Sequence, residues 1–116
     1  MIAYIQALKE CLIEGYIGII FGVKVAQDTS ILDLYVNDIF QYLETLCSGD
    51  LNFPEDFLKS VVGLIGDLSD LYKKRIQSVV SRPFVQRVIG VLEKHTLKEY
   101  KTVAQWARSC VMKSLQ

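Results

Sequence analysis

Acidic side chains repeat along one face of a predicted helix in the middle of the chain. Asp67, Asp70 and Lys74 are spaced i, i+3 and i+7, which places them on one helix face and leaves the apolar residues opposite. Carboxylates on such a face could bind the guanidinium groups of a basic partner. A solvated face with an internal Asp70–Lys74 ion pair explains the same pattern, and spacing alone leaves both interpretations open.

A lone tryptophan and an acidic pair are further candidates for binding. Trp106 projects from a helical stripe that is otherwise polar, and an indole ring there could stack on an arginine or lysine side chain. Packing of Trp106 against the preceding helix hairpin is the alternative. Glu10 and Glu14 form an i, i+4 acidic pair on a strongly apolar helix, where a binding or pairing role is plausible.

The residue types that catalysis needs are sparse. The sequence has no phosphate-binding glycine motif, zinc ligand set or nucleophile elbow. His95, the one histidine, lies at a predicted helix end, where a solvated or capping role is expected. An enzyme that used Cys47 or Cys110 with His95 would need a thiol beside the imidazole in a pocket, and no local motif supports it. We expect no catalytic residue, no cofactor and no metal.

The elements that position these residues are five predicted helices. Apolar residues recurring every three to four positions predict helices over residues 2–25, 31–47, 54–74, 83–93 and 97–115. Capping signals precede three of them, namely Ser30–Asp33, Asn52–Glu55 and Thr96–Glu99. Gly63 and Gly66 lie inside the third helix, where each costs about 1 kcal/mol relative to alanine, and this predicts close helix approach.

Five helices with no alternating strand pattern make the chain all-α. A compact bundle and a slice of an α-solenoid both satisfy this description, because each packs antiparallel helix hairpins through apolar faces. The first helix is apolar on nearly all sides in its last turns, which favours the solenoid. The length of 116 residues fits a single domain over residues 1–116.

Charge is balanced overall and polarised along the chain. The formal net charge is zero, so the total gives no electrostatic case for nucleic acid or an acidic membrane surface. Residues 1–58 hold nine acidic and two basic side chains, whereas residues 59–116 hold four acidic and eleven basic ones. The acidic half could therefore face a basic ligand, although mutual neutralisation of the two halves is the simpler interpretation.

Cysteine usage and hydropathy indicate a soluble intracellular protein. Cys11, Cys47 and Cys110 are widely spaced and odd in number, which is typical of reduced thiols in a cytosolic or nuclear protein. The apolar run from Gly15 to Val23 is about half of the roughly 18 residues that a transmembrane helix needs. It also follows acidic residues, which argues against a secretory signal.

Four segments stand in a characteristic order along the chain: Tyr4–Gln6 with Cys11–Ile19, the GLIGDL motif at Gly63–Leu68, the Arg82–Pro83 dipeptide and Lys101–Ala107 around Trp106. Taken in this order, they resemble the C-terminal end of importin-β, a HEAT-repeat receptor that carries cargo into the nucleus. The resemblance implies an all-α HEAT-repeat solenoid segment of antiparallel helix hairpins, belonging to the C-terminal repeats. Its implied location is the cytoplasm and nucleus, shuttling through the nuclear envelope.

The family implies a binding function. Its B helices line the concave surface of a superhelix that wraps the basic importin-β-binding domain of importin-α, or a similar basic cargo, through acidic and tryptophan side chains. Glu14, Asp67 and Trp106 occupy matching positions, and Asp70 is a neighbour without a clear counterpart. Ran-GTP and FG nucleoporins would bind mainly to upstream repeats of the full receptor. Neither nucleic acid nor a membrane is an expected partner.

Departures from the family pattern leave a second hypothesis open. The segments 25–30 and 48–53 follow no family pattern, and the cluster Lys73–Arg75 would oppose a basic ligand. The alternative is a helical-repeat scaffold with no transport role. In that case Asp67 and Trp106 would be packing or surface residues.

Overall fold

The computed structural model describes residues 2–49, 51, 53–95 and 97–116. All regular structure in these ranges is helical, which confirms the prediction of an all-α chain. The elements are α1 (Ile2–Ala26), α2 (Ser30–Asp33), α3 (Val36–Leu46), α4 (Glu55–Tyr72), a 3-10 turn (Lys73–Ile76), α5 (Gln77–Val80), α6 (Pro83–Glu93) and α7 (Lys98–Leu115). Within the same ranges, no helix combines the length and hydropathy needed to cross a bilayer.

The predicted second helix over residues 31–47 is wrong in one respect, because the chain divides it into α2 and α3. Leu34 and Tyr35 form a turn between them, closed by a hydrogen bond of 2.9 Å from the Tyr35 N–H to the Leu32 carbonyl. A tertiary contact lies directly before the break: the Asp33 carboxylate accepts a hydrogen bond of 2.6 Å from the Tyr72 hydroxyl on α4. This bond is the main cause that lowers the pKa of Asp33.

The expected caps have mixed outcomes. Ser30 does not cap the second helix; instead it begins α2, and its backbone N–H donates to Asp28 Oδ1 at 3.0 Å. This hydrogen bond lowers the pKa of the Asp28 carboxyl. The other two expected capping residues, Asn52 and Thr96, lie outside the described residues.

The third helix ends two residues earlier than predicted, at Tyr72. Lys73 follows with φ 54° and ψ −126°, a conformation that glycine favours and that an L-residue adopts only under strain. This residue stops α4, and the chain continues through the 3-10 turn into α5. The other predicted boundaries agree within one residue, and α6 agrees at both ends.

Three long helices lie side by side and form one layer. α4 packs between α1 and α7. Contacts between α4 and α7 follow the same order along both helices. Near their starts the Tyr100 hydroxyl donates a hydrogen bond of 2.7 Å to Asp56, and near their ends the Ser114 hydroxyl donates one of 3.1 Å to the Ser69 carbonyl. α4 and α7 therefore run parallel, as successive helices of a stacked repeat do.

The second layer consists of α3 and α6. α6 packs against α4 and α7, and Arg108 on α7 makes two hydrogen bonds of 3.0 Å to the Glu93 carboxylate at the end of α6. α3 joins α6 through an Arg82–Glu44 ion pair of 2.9 Å. The central side chains of α4 are fully buried between these neighbours, namely Val62, Leu64, Ile65 and Leu68.

One side of α1 is left uncovered by the described elements. Leu8, Leu12 and Ile19 are about half exposed, and Phe21 and Val25 are 69% and 70% exposed. This agrees with the expectation that the first helix is too apolar for its visible neighbours.

The two glycines of α4 differ in their surroundings. A Cβ atom at Gly66 would lie 2.5 Å from Trp106 Cζ3 and 3.1 Å from the Ala107 Cα atom, so only glycine lets α7 approach this closely. A Cβ atom at Gly63 would meet nothing within 4 Å. The prediction of close helix approach is therefore confirmed for Gly66 and wrong for Gly63, which faces open space.

We expect Gly66→Ala to lower the free energy of unfolding by about 1–3 kcal/mol, because overlap with the Trp106 ring and the α7 backbone outweighs the better helix propensity of alanine. Gly63→Ala, one turn earlier on the same helix, is the matched control and should raise it by about 0.5–1 kcal/mol. Urea unfolding measures both. Equal effects of the two substitutions would contradict this account of the α4–α7 contact.

Candidate functional site

A groove runs between α1 and α7, with α4 as its floor. It consists of two concavities of about 180 and 520 Å³ that share Asp56 and Ser60 as lining residues. The smaller one is completed by Glu10, Ile13, Glu14 and Phe57. The larger one is completed by Ile17, Lys59, Gly63, Asp67, Val103 and Trp106. The groove thus contains four carboxylates and one lysine.

The floor of the groove is a single stripe of α4. Asp56, Ser60, Gly63 and Asp67 are spaced i, i+4, i+7 and i+11, and residues at these intervals share one helix face. The two small residues lie in the middle, and a carboxylate lies at each end. At 1.5 Å per residue, the two carboxylates are separated by roughly 16 Å along the helix axis. This stripe of α4 therefore gives the groove an open floor with a carboxylate at each end.

Trp106 forms part of the α7 wall of the groove. Its ring edge packs on Gly66 of α4, and 41% of the residue is exposed. The ring therefore packs on the preceding helices, as one interpretation of the sequence expected, and it also lines the groove; its role as a binding anchor stays a prediction. An aromatic ring held in this way loses little conformational entropy when it contacts a ligand.

Asp67 is held by a lysine from α1. Lys24 Nζ lies 2.8 Å from Asp67 Oδ1 and 3.8 Å from Asp70 Oδ2. Asp67 is partly buried, so this ion pair is shielded from solvent more than a fully exposed pair would be. Sequence reasoning missed this partner. The sequence offered one signal for it: residues 1–58 hold nine acidic side chains and only two basic ones, and Lys24 is one of the two.

Glu14 lies at the other end of the groove. It is exposed, and no salt bridge among the described residues involves it. Glu10 lines the same concavity one helical turn earlier. Within the described residues Glu10 is likewise in no salt bridge, so an external cation could bind both carboxylates without displacing an internal partner there.

The sequence indicated four partner-binding residues, Glu14, Asp67, Asp70 and Trp106, and the structure brings three of them together. Glu14, Asp67 and Trp106 line the groove. Asp70 lines a different cavity at the end of α4, and its connection to the groove is the shared contact with Lys24.

Asp56 is a groove residue that sequence reasoning missed. The Tyr100 hydroxyl donates a hydrogen bond of 2.7 Å to Asp56 Oδ1, and this bond is the main cause that raises the pKa of Tyr100 to about 12. Lys59, also in the groove, pairs with Glu99 at 2.5 Å. The signal for Asp56 was its position seven residues before Gly63, on the face that also carries Asp67.

His95 contacts neighbouring side chains, Cys47 and Cys110 are buried, and Cys11 is exposed. His95 Nε2 is 3.5 Å from a Glu55 carboxylate oxygen, and the imidazole packs edge-on to the Tyr100 ring at 4.6 Å. Burial raises the pKa of the Cys47 thiol to about 11, and it also raises the pKa of Cys110, so both thiols stay neutral at physiological pH. Among the described residues, no cluster of histidine, cysteine or carboxylate side chains could hold a metal ion.

Comparisons with known proteins identify the relatives of this chain. A sequence model of the importin subunit beta-1-like family, described by its TPR repeats, matches residues 1–93. Importin subunit beta-1 of Arabidopsis thaliana is 28% identical over 120 residues, covering 99% of this chain and 13% of the relative. The Schizosaccharomyces pombe importin subunit beta-1 is 27% identical over 109 residues, covering 92% of this chain and 12% of the relative.

Solved structures agree with the sequence matches. A crystal structure of importin beta in an ammonium sulfate condition superposes with a TM-score of 0.90 and 27% identity, covering 99% of this chain and 14% of that chain. A second crystal structure, in a polyethylene glycol condition, gives the same values. The prediction of a HEAT-repeat α-solenoid instead of a compact bundle is confirmed. The chain spans about an eighth of the length of these relatives, and it belongs to the importin subunit beta-1-like family.

Proposed function

We propose that residues 1–116 are a C-terminal HEAT-repeat segment of a nuclear import receptor, and that the groove binds the basic importin-β-binding domain of importin-α or a similar basic cargo adaptor. The observation that carries this proposal is the combination of four groove carboxylates with a half-exposed tryptophan. Carboxylates and aromatic rings are the groups that recognise arginine and lysine side chains.

The chemistry of binding follows from the positions of the groups. Glu10 and Glu14 would accept hydrogen bonds from guanidinium groups at one end of the groove, and Asp67 would do so at the other. The open face of Trp106 would stack on a cationic side chain or its aliphatic stem. Ser60 and Gly63, the small residues of the groove floor, would let a docked segment approach α4 closely. Such a complex would weaken as salt concentration rises, because most of its contacts are ionic.

The rest of the transport cycle would lie outside this segment. A full receptor would bind Ran-GTP and FG nucleoporins mainly through upstream repeats, and it would shuttle between cytoplasm and nucleus through the nuclear envelope. This segment would supply a binding surface and no catalysis.

A helical-repeat scaffold with no transport role is the second candidate. It is favoured by the internal partners of Asp67 and Trp106, which are Lys24 and Gly66. Under that hypothesis both residues would matter for stability and neither for binding.

We expect Glu14→Gln and Trp106→Ala each to weaken binding of a basic, arginine-rich helical peptide by about tenfold or more, since they remove an aromatic anchor and a groove carboxylate that is in no salt bridge among the described residues. The measurement is a fluorescence anisotropy titration of the peptide at low and at physiological salt. Asp38→Asn, an exposed acidic residue on α3 outside the groove, is the charge-matched control and should leave the affinity within about twofold.

The scaffold hypothesis predicts that the same titration shows no binding that depends on the groove residues. If peptide binding is absent, or if Asp38→Asn weakens it as much as Glu14→Gln, the groove is not the binding site. Thermal unfolding of each variant separates loss of binding from loss of structure, because Glu14 makes no ion pair among the described residues and its substitution should leave the melting temperature unchanged.

We also expect Lys24→Met to strengthen binding of the same peptide by about three- to fivefold. In the free protein Lys24 occupies the Asp67 carboxylate at 2.8 Å, so an incoming arginine must first displace it. Lys9→Met removes the other basic residue of residues 1–58, which lies 5.3 Å from the Phe53 ring centroid and makes no ion pair in the described chain, and it is the control for a general change in charge. An unchanged affinity for Lys24→Met would show that the ligand does not use Asp67.

A further inference from the structure

A second cavity, of about 490 Å³, lies at the C-terminal end of α4 and is here called the basic cavity. Four of its lining residues are basic, and the α4 end and α7 both contribute to it. The lining consists of Ser69, Asp70, Tyr72, Lys73, Lys74, Arg75, Cys110 and Lys113. Its charge is opposite to that of the groove, so the two sites cannot share a ligand.

Three of the four cations have no salt-bridge partner among the residues that the structure describes. Lys73, Lys74 and Lys113 are exposed, and none of them takes part in a salt bridge within the part of the chain that the structure describes. Arg75 differs, because it lies 3.5 Å from Asp33 Oδ1 and its guanidinium stacks over the Tyr72 ring at 5.0 Å. Arg75 therefore serves the fold, and the three lysines are available to a ligand.

Helix dipoles offset only part of the positive charge of the basic cavity. The lysines lie at the C-terminal ends of α4 and α7, and each such end carries about half a negative charge. Two helix ends thus offset roughly one positive charge. Asp70 supplies one further negative charge, but it is shared with Lys24 at 3.8 Å. The cavity remains positive after these contributions.

The backbone at the mouth of the cavity is strained. Lys73 has φ 54° and ψ −126°, where glycine would be unstrained. A glycine at this position would form the same turn at lower conformational cost, yet the chain carries a lysine. The substitution Lys73→Gly therefore removes a cavity cation while it relieves strain, which separates binding from folding.

We propose that the basic cavity is a second binding site, specific for a short carboxylate-rich peptide segment of a partner protein. Three exposed lysines that line a pocket together with Tyr72 suit two or three acidic side chains. A nucleic acid would need a continuous basic track, because its phosphates recur about every 1.7 Å along the duplex axis. Here the track is interrupted by Asp70. The concave shape also disfavours a flat membrane surface.

The test is a titration of the 116-residue chain with a fluorescent oligo-glutamate peptide at low and physiological salt. We expect salt-sensitive binding that Lys74→Glu and Lys113→Glu each weaken about tenfold. Lys101→Glu, an exposed lysine on α7 outside the cavity, is the matched control and should change the affinity by no more than about twofold. Lys73→Gly should weaken binding while its melting temperature stays equal or rises.

Other outcomes would overturn the proposal. They are absence of peptide binding, an equal loss in Lys101→Glu, or a melting temperature of Lys73→Gly that falls together with its affinity. Tighter binding of a single-stranded oligonucleotide of equal charge, or of vesicles containing phosphatidylserine, would assign the cavity to a different class of ligand. The proposal does not rest on the groove binding a basic helix, because the probes and the substituted residues of the two tests are different.

Discussion

The contact between α4 and α7 at Gly66 is the constraint on which the rest of the structure depends. The absence of a side chain there lets the Trp106 ring and the Ala107 backbone approach the α4 backbone directly. The parallel arrangement of these helices follows from this contact together with the bonds from Tyr100 to Asp56 and from Ser114 to the Ser69 carbonyl. Both the wall of the groove and the wall of the basic cavity come from α7, so both sites require this packing.

The fold places acidic and basic side chains in separate regions, and the order of charges along the sequence predicts this separation only in part. Glu10 and Glu14 of α1 meet Asp56 of the first turn of α4 in the smaller concavity of the groove, whereas lysines from the end of α4 and of α7 line the basic cavity. Parallel helices produce this sorting, because like ends of neighbouring helices lie side by side. Lys24 stands between the two regions and contacts a carboxylate of each.

Much of the fold was predictable because helical periodicity is a local property. The apolar spacing gave five helices, and most of their ends agree within one residue with those of the structure. The exceptions lie where local patterns give no signal. The second helix breaks where Asp33 bonds to Tyr72, 39 residues away, and no local pattern announces that bond. The third helix stops at a strained lysine, although neither glycine nor proline marks the position.

The same distinction between local pattern and tertiary packing holds for the candidate site. By itself the sequence determined the all-α class, the helix faces and the order of motifs that indicated the family, because side chains three or four residues apart must share a helix face. Tertiary structure alone decided that Lys24 holds Asp67 across 43 residues, that Asp56 belongs to the groove, that Asp70 faces the basic cavity, and that Gly66 but not Gly63 is a contact point. Those outcomes depend on which helices pack together and at what distance, and periodicity within one helix contains no information about either.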